Sequence, residues 1–137
     1  MKSKMIELAV HSSEHTEFLA ITREVQNAAQ AEGWRDGVLT VFVPHTTAAV
    51  TIQENADPDV VRDMADALEK AVPWKDPKYR HGEGNTAAHV KASMLGTSAQ
   101  VFVEGGHLCL GTWQGIWFCE FDGPRHRKVW LSFQGEA

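Results

Sequence analysis

Apolar and polar residues alternate over residues 4–10, with Met5, Ile6, Leu8 and Val10 apolar, and this two-residue period predicts a first strand. The period then changes. Phe18, Ile21, Val25 and Ala28 recur at helical spacing and Gly33 offers a stop, so a helix is expected over about residues 17–32. Gly37 opens the β-branched run Val38-Leu39-Thr40-Val41-Phe42-Val43, which ends at Pro44 and reads as a buried strand; residues 47–52 read as another. Asp57-Pro58-Asp59 has the chemistry of a helix start, with a capping carboxylate, a proline at the first helical position and a second acid near the positive end of the dipole. Val61, Met64, Leu68 and Val72 supply its buried stripe until Pro73. Residues 74–80 have no period and read as a loop. A third, shorter helix is expected from Asn85, its cap, to just before Gly96.

The last third reads as β throughout. Residues 99–103, 108–110, 116–121 and 129–133 are short β-prone runs punctuated by Gly105-Gly106, Gly111 and Asp122-Gly123-Pro124. Strands and helices do not alternate regularly, and short turns join the late strands. The expectation is an α+β fold: one compact domain over residues 1–137, with a mainly antiparallel sheet, two main helices and one shorter helix.

Composition narrows the function classes. At 43% hydrophobic and 23% charged, the chain looks globular, and no apolar run approaches the roughly 20 residues that span a bilayer, so no membrane partner is expected. The first residues lack the pattern of a signal peptide, which makes the cytoplasm the default location. A net charge of −5 without a run of Lys and Arg argues against general nucleic-acid binding. It leaves room for a small phosphorylated metabolite held by one or two cations, and the basic residues do gather late, at Arg125, Arg127 and Lys128. Cys109 and Cys119 form no CxxC pair; they could face each other across a hairpin centred near Gln114, and the favoured reading is two buried thiols in a reducing compartment.

His45, directly after the strand that ends in proline, projects from a sheet edge or turn. His81 and His89 flank Gly82-Glu83-Gly84-Asn85, so a helix starting at Asn85 brings both towards one point. Three imidazoles suit zinc or nickel and leave a coordination position open, although this spacing is no metal motif in itself, and separate capping or hydrogen-bonding roles are the plainer reading. Asp57 is accounted for as a cap, which leaves Glu54 as a candidate general base, metal ligand or orienting group, or else a solvated turn carboxylate. Thr46, Thr47, the glycine-rich loop and the following helix start offer hydroxyls and backbone N–H groups to an anion, and Arg125 could add a bidentate cation. Trp113 and Gln114, in a turn between strands, either wall and orient a planar ring or pack in a core or subunit interface. His11, His15, His107 and His126 read as ordinary surface or turn histidines.

Taken together, these segments resemble the YjbQ-type family, often labelled secondary thiamine-phosphate synthase. The match rests on Ser98-x-x-Val101-x-Val103-x-x-Gly106, followed after four intervening residues by Gly111-Thr112-Trp113-Gln114. It extends to Pro44-His45-Thr46-Thr47-Ala48, Glu54-Asn55-Ala56-Asp57-Pro58 and Ala88-His89-Val90-Lys91-Ala92-Ser93, so it covers nearly the whole chain. The resemblance implies a compact α+β subunit that assembles as a homotrimer, with a polar pocket in which His45, His81 and His89 bind a metal or an anion. Some members carry an acidic residue in the loop between the last two histidines. Here that loop reads Glu83-Gly84-Asn85-Thr86, and the role would fall to Glu83 or Asn85.

The activity implied is a transferase that joins a pyrimidine diphosphate to a thiazole phosphate and releases pyrophosphate. His45, His81 and His89 would hold a divalent ion; Glu54, His89 and Asn85 would be catalytic. Thr46, Thr47 and Arg125 would bind phosphate, and Trp113 with Gln114 would place the ring. A tension remains, because pyrophosphate chemistry usually employs magnesium, a hard ion, whereas imidazoles suit zinc or nickel. The alternatives are a metal-dependent hydrolase and a non-catalytic trimer that binds a small anionic metabolite.

Overall fold

The computed structural model describes residues 5–137. Among these residues the elements run β1 (Met5–His11), β2 (Glu17–Ala20), α1 (Thr22–Glu32), β3 (Asp36–Phe42), β4 (Ala48–Glu54), α2 (Pro58–Ala71), α3 (Thr86–Leu95), β5 (Ser98–Glu104), β6 (His107–Leu108), β7 (Gln114–Glu120) and β8 (His126–Glu136). The fold is α+β, as the mixture of periods predicts. One sheet has the order β1-β8-β3-β5-β6 and the other the order β2-β7-β4, and every strand pair is antiparallel.

Strand alternation explains how the layers stack. Leu39 and Val41 of β3, Val101 and Val103 of β5, and Val129 and Leu131 of β8 turn one face of the larger sheet into the core. Ala48 and Val50 of β4 and Ile116 and Phe118 of β7 meet them from the smaller sheet. The intervening residues of the smaller sheet, Ala49 and Cys119, face the other way and pack with Ala88 and Ala92 of α3. Small side chains on both surfaces let α3 lie close to β4. Lys91, only 2% exposed, donates to Glu69 at 2.6 Å and ties α3 to α2. Helix α1 closes the core with Val25 and Ala29.

Several sequence expectations need correction. Residues 17–20 form β2 instead of the first turn of a helix: Phe18 pairs with Cys119 and packs on Phe121, and α1 begins only at Thr22. A local 3.6-residue spacing cannot register a partner strand a hundred residues away. The β1 expectation began at Lys4, which lies outside the described residues, and β1 runs on to His11. Cys109 and Cys119 do not face each other, because β7 pairs with β4 and β2 and not with residues 108–110; Cys109 is exposed and Cys119 buried. Burial pushes the Cys119 thiol far up, so it stays protonated.

Helix α2 starts as expected. Asp57 accepts from the Asp59 N–H at 2.9 Å, with Pro58 in the first turn. Helix α3 differs at its cap: Asn85 precedes it, but the side chain bonds elsewhere and does not cap.

Candidate functional site

His45 follows β3 across the proline and reaches the neighbouring strand, where its Nε2 accepts the backbone N–H of Lys128 at 2.9 Å. A nitrogen that accepts carries no proton, so the neutral ring is protonated on Nδ1. Burial holds the His45 pKa below its ordinary value of 6.5, and the Arg127 cation adds to this against the opposing effect of Glu120. His45 is therefore neutral at neutral pH, with an N–H to offer.

Behind it lies an ion pair inside the protein. Glu120 ends β7 and Arg127 is the second residue of β8, both turned inward between the sheets, with 0% and 5% exposure. Glu120 accepts from Arg127 Nε at 2.8 Å and from Arg127 Nη2, and also from Ser12 Oγ at 2.7 Å and the Asp122 N–H at 3.0 Å. Burial pushes its carboxyl up, but these donors outweigh burial and leave it below the ordinary carboxylate value. Arg127 Nη2 also donates to Thr47 Oγ1 at 2.8 Å, while Nη1 has no partner among the described residues.

The loop Asp122-Gly123-Pro124-Arg125 is pinned by reciprocal bonds between Ser12 and Arg125. A Cβ on Gly123 would lie 2.7 Å from Ser12 Oγ and 2.9 Å from Glu120 Cγ, so only glycine lets the loop approach so closely. Asp122 then accepts from Arg125 Nη2 at 3.1 Å and from Asn85 Nδ2 at 2.9 Å. Asn85 is 6% exposed, yet its Oδ1 has no hydrogen-bond partner, nor has the buried Thr86 Oγ1. At the start of α3 the N–H groups of Thr86 and Ala87 likewise lack partners, whereas those of Ala88 and His89 donate to Asn85 O. His89 sits one turn into this helix, its ring edge-on to that of His81 with centroids 5.4 Å apart, and His81 Nε2 lies 3.9 Å from Glu83.

These groups surround a cavity of about 460 Å³ that His45, His81, His89, Asn85, Arg125 and Arg127 all line. Thr46, Thr47, Glu83 and Asp122 complete its polar wall. A second cavity of about 480 Å³ shares His45, Thr46 and His89 with it. A larger one of about 540 Å³, at the Thr22, Gln26 and Asn55 side of the molecule, contains none of the histidines.

The structure thus puts the three expected histidines, Thr46, Thr47, Asn85 and Arg125 in one place. Their fit to a metal ion is poor as they stand. His45 Nε2 is already engaged by Lys128, and no three His, Cys, Asp or Glu side chains among the described residues converge as a ligand set.

Glu54, Trp113 and Gln114 are not brought to the cavity. Thr47 adjoins one end of β4 and Glu54 terminates the other, about 20 Å away for a seven-residue strand. Gln114 pairs with Glu54 there, and its Oε1 accepts from Gly111 N–H, closing the turn, while Trp113 is exposed. Glu54 accepts from the Asp57 N–H at 3.3 Å. Conversely, Glu120 had no sequence signal, Asp122 stood out only as a turn residue, and Arg127 only as one of the late basic residues. The alternation of β8, in which Arg127 shares parity with Val129 and Leu131, was the signal that would have turned Arg127 inward.

Residues 6–136 match the family described as UPF0047 protein YjbQ-like. The chain belongs to that family. Among YjbQ-like relatives, UPF0047 protein YugU of Bacillus subtilis is 49% identical, over 93% of this chain and 97% of its own. A UPF0047 protein of Methanocaldococcus jannaschii is 40% identical, over 93% of this chain and 91% of its own. The crystal structure of an uncharacterized YjbQ/UPF0047 protein from Clostridium acetobutylicum superposes with a TM-score of 0.91 at 50% identity, covering 94% of this chain and 99% of that one.

These comparisons correct the expected activity. The relatives carry the UPF0047 designation and not the name of a reaction, so the thiamine-phosphate synthase reading finds no support among them. The geometry agrees, since the groups meant to place the rings and move the proton, Trp113, Gln114 and Glu54, lie away from the histidine cavity. No helix among the described residues is long and apolar enough to cross a membrane.

Proposed function

We propose that the histidine cavity of this YjbQ-like protein binds the oxyanion of a small phosphorylated metabolite and handles a proton at that group. The observation that carries the reading is the unsatisfied donor set around one cavity. His45 offers Nδ1–H and Arg127 offers Nη1, and beyond Asn85 the start of α3 leaves the N–H groups of Thr86 and Ala87 unpaired. Arg125 adds a half-exposed guanidinium held in place by Asp122. Phosphate is a multidentate acceptor, and such charge-assisted bonds are the strong ones. The buried Asn85 Oδ1 is an acceptor in want of a donor, which suits a P–OH or a hydroxyl next to the phosphate. Asp122 fixes that orientation by accepting from Asn85 Nδ2, so Oδ1 cannot swap with the amide nitrogen without breaking a bond. His89 lines the same cavity with the half-exposed His81 edge-on beside it, and its imidazole is the group we assign to exchange a proton with the ligand.

Two free cysteines fit a reducing compartment, and we place the chain in the cytoplasm. The trimer implied by the family resemblance would cover the outer face of the five-stranded sheet around Phe102, which lies eight residues along β8 from the His11–His126 end.

Binding of inorganic phosphate and of a simple phosphate monoester, followed by calorimetry and ³¹P NMR, tests the site. Saturable binding is expected, and Arg125→Ala or His89→Ala should weaken it by about 10–100-fold, the value of a hydrogen bond to a charged group. Glu54→Gln and prior dialysis against EDTA should leave it unchanged. Absence of saturable binding, or wild-type affinity in both cavity variants, would overturn the proposal.

A further inference from the structure

His11 and His126 read as ordinary surface residues, yet they stand directly against each other at one end of the β1–β8 pair. The bond from Ser12 N–H to Arg125 O at 3.0 Å closes the adjacent position of the ladder. That makes His11–His126 a non-hydrogen-bonded pair, the kind in which antiparallel side chains approach most closely. Their flanking residues Val10 and Arg127 are buried, so both imidazoles lie on the outer, solvent-exposed face of the sheet. The rings are nearly perpendicular, with centroids 4.5 Å apart, and their Nδ1 atoms are separated by 2.6 Å. At that distance one Nδ1 carries a proton and the other supplies the lone pair.

We propose that His11 and His126 form a two-imidazole chelate for a divalent copper or nickel ion, with water in the remaining positions. Metal–nitrogen bonds of about 2.0–2.1 Å require about 2.9 Å between the nitrogens for a right-angled bite and about 3.3 Å for a tetrahedral one. The observed 2.6 Å is a few tenths of an ångström from the first and much further from the second. Right-angled nitrogen and oxygen sites are those of Cu(II) and Ni(II), which also head the affinity order for imidazole. Small rotations of two exposed rings open the bite. The donating ring moves its proton from Nδ1 to Nε2 through solvent, so a neutral pair binds the ion without net proton loss. Lys128 is the next residue of β8 on this face, and its Nζ lies 3.9 Å from the Glu7 carboxylate, which offsets part of its repulsion of a cation.

The site is independent of the oxyanion cavity, since no residue is common to the two. Because the chelate bridges the edge strand β1 to β8, bound metal stabilises the folded chain by mass action. The test uses untagged full-length protein titrated with Cu²⁺ and Ni²⁺, with electron paramagnetic resonance on the copper form and thermal melting on both. In the wild type the first equivalent should show two nitrogen ligands and raise Tm. His11→Gln and His126→Gln should each abolish that equivalent and the Tm shift, with metal-free melting confirming that they fold, while His89→Ala should retain both. A first equivalent with the same spectrum and stoichiometry in both glutamine variants would overturn the proposal. So would a wild type that binds no more tightly than they do.

Discussion

Lys128 N–H donates to His45 Nε2, and this single bond decides which way the imidazole faces and where its proton sits. Its depressed pKa makes a statement about stability. In the unfolded chain His45 takes up a proton below about pH 6.5, whereas in the folded chain burial and Arg127 delay that uptake. The unfolded state then binds more protons, so folding stability falls as pH drops from 6.5 towards the lower folded value and is retained above it. Urea midpoints measured on either side of that window should show the slope, and His45→Gln should flatten it while keeping an acceptor for Lys128. A slope identical in both proteins would assign the pH dependence to other groups. His45 was legible as a site residue because it follows a strand ended by proline. Its tautomer was not, because the donor comes from a strand 83 residues away.

At the scale of elements, the inward-facing pair at the junction of β7 and β8 determines how firmly the cavity wall is built. Arg127 is held by Glu120 and Thr47, and Glu120 in turn by Ser12, so four segments meet at one buried charge pair. Removing one partner strands the other charge. Arg127→Met should therefore destabilise the fold by about 3–5 kcal/mol in equilibrium unfolding. Adding Glu120→Leu to that variant should restore much of the loss, because the uncompensated carboxylate is then gone. A double variant as unstable as the single would mean that packing, and not charge, dominates at this junction. Helix α2 was readable from its Asp57-Pro58 start because capping is local chemistry. Strand β2 was not, since residues 17–20 are extended only by pairing with residues 117–120.

Across the whole molecule, one face of the larger sheet packs on the core and the other carries an apolar stripe. Phe102 is 67% exposed and Met5 58%, and Phe42 stacks on Trp130 with centroids 5.8 Å apart. Surface aromatic clusters of this kind mark association faces. If the trimer forms through this face, sedimentation should give three times the monomer mass for the wild type and a single-chain mass for Phe102→Asp. A trimer that survives the substitution would place the interface elsewhere. The opposite ends of the smaller sheet explain why Glu54 and Gln114 belong to one locality and the histidines to another, although both segments stood out equally in the sequence.

Period and punctuation alone determined the α+β class, the course of most strands, all three helices apart from the start of the first, and the histidines worth following, because alternation, capping and turn chemistry act within a few residues. Convergence is different. That Asn85, Asp122, Arg125 and Arg127 share a wall with His45, that Trp113 and Gln114 do not, and that His11 meets His126, are facts of strand register. Register is set by burying one face of each strand against partners far along the chain, and only the folded molecule records it.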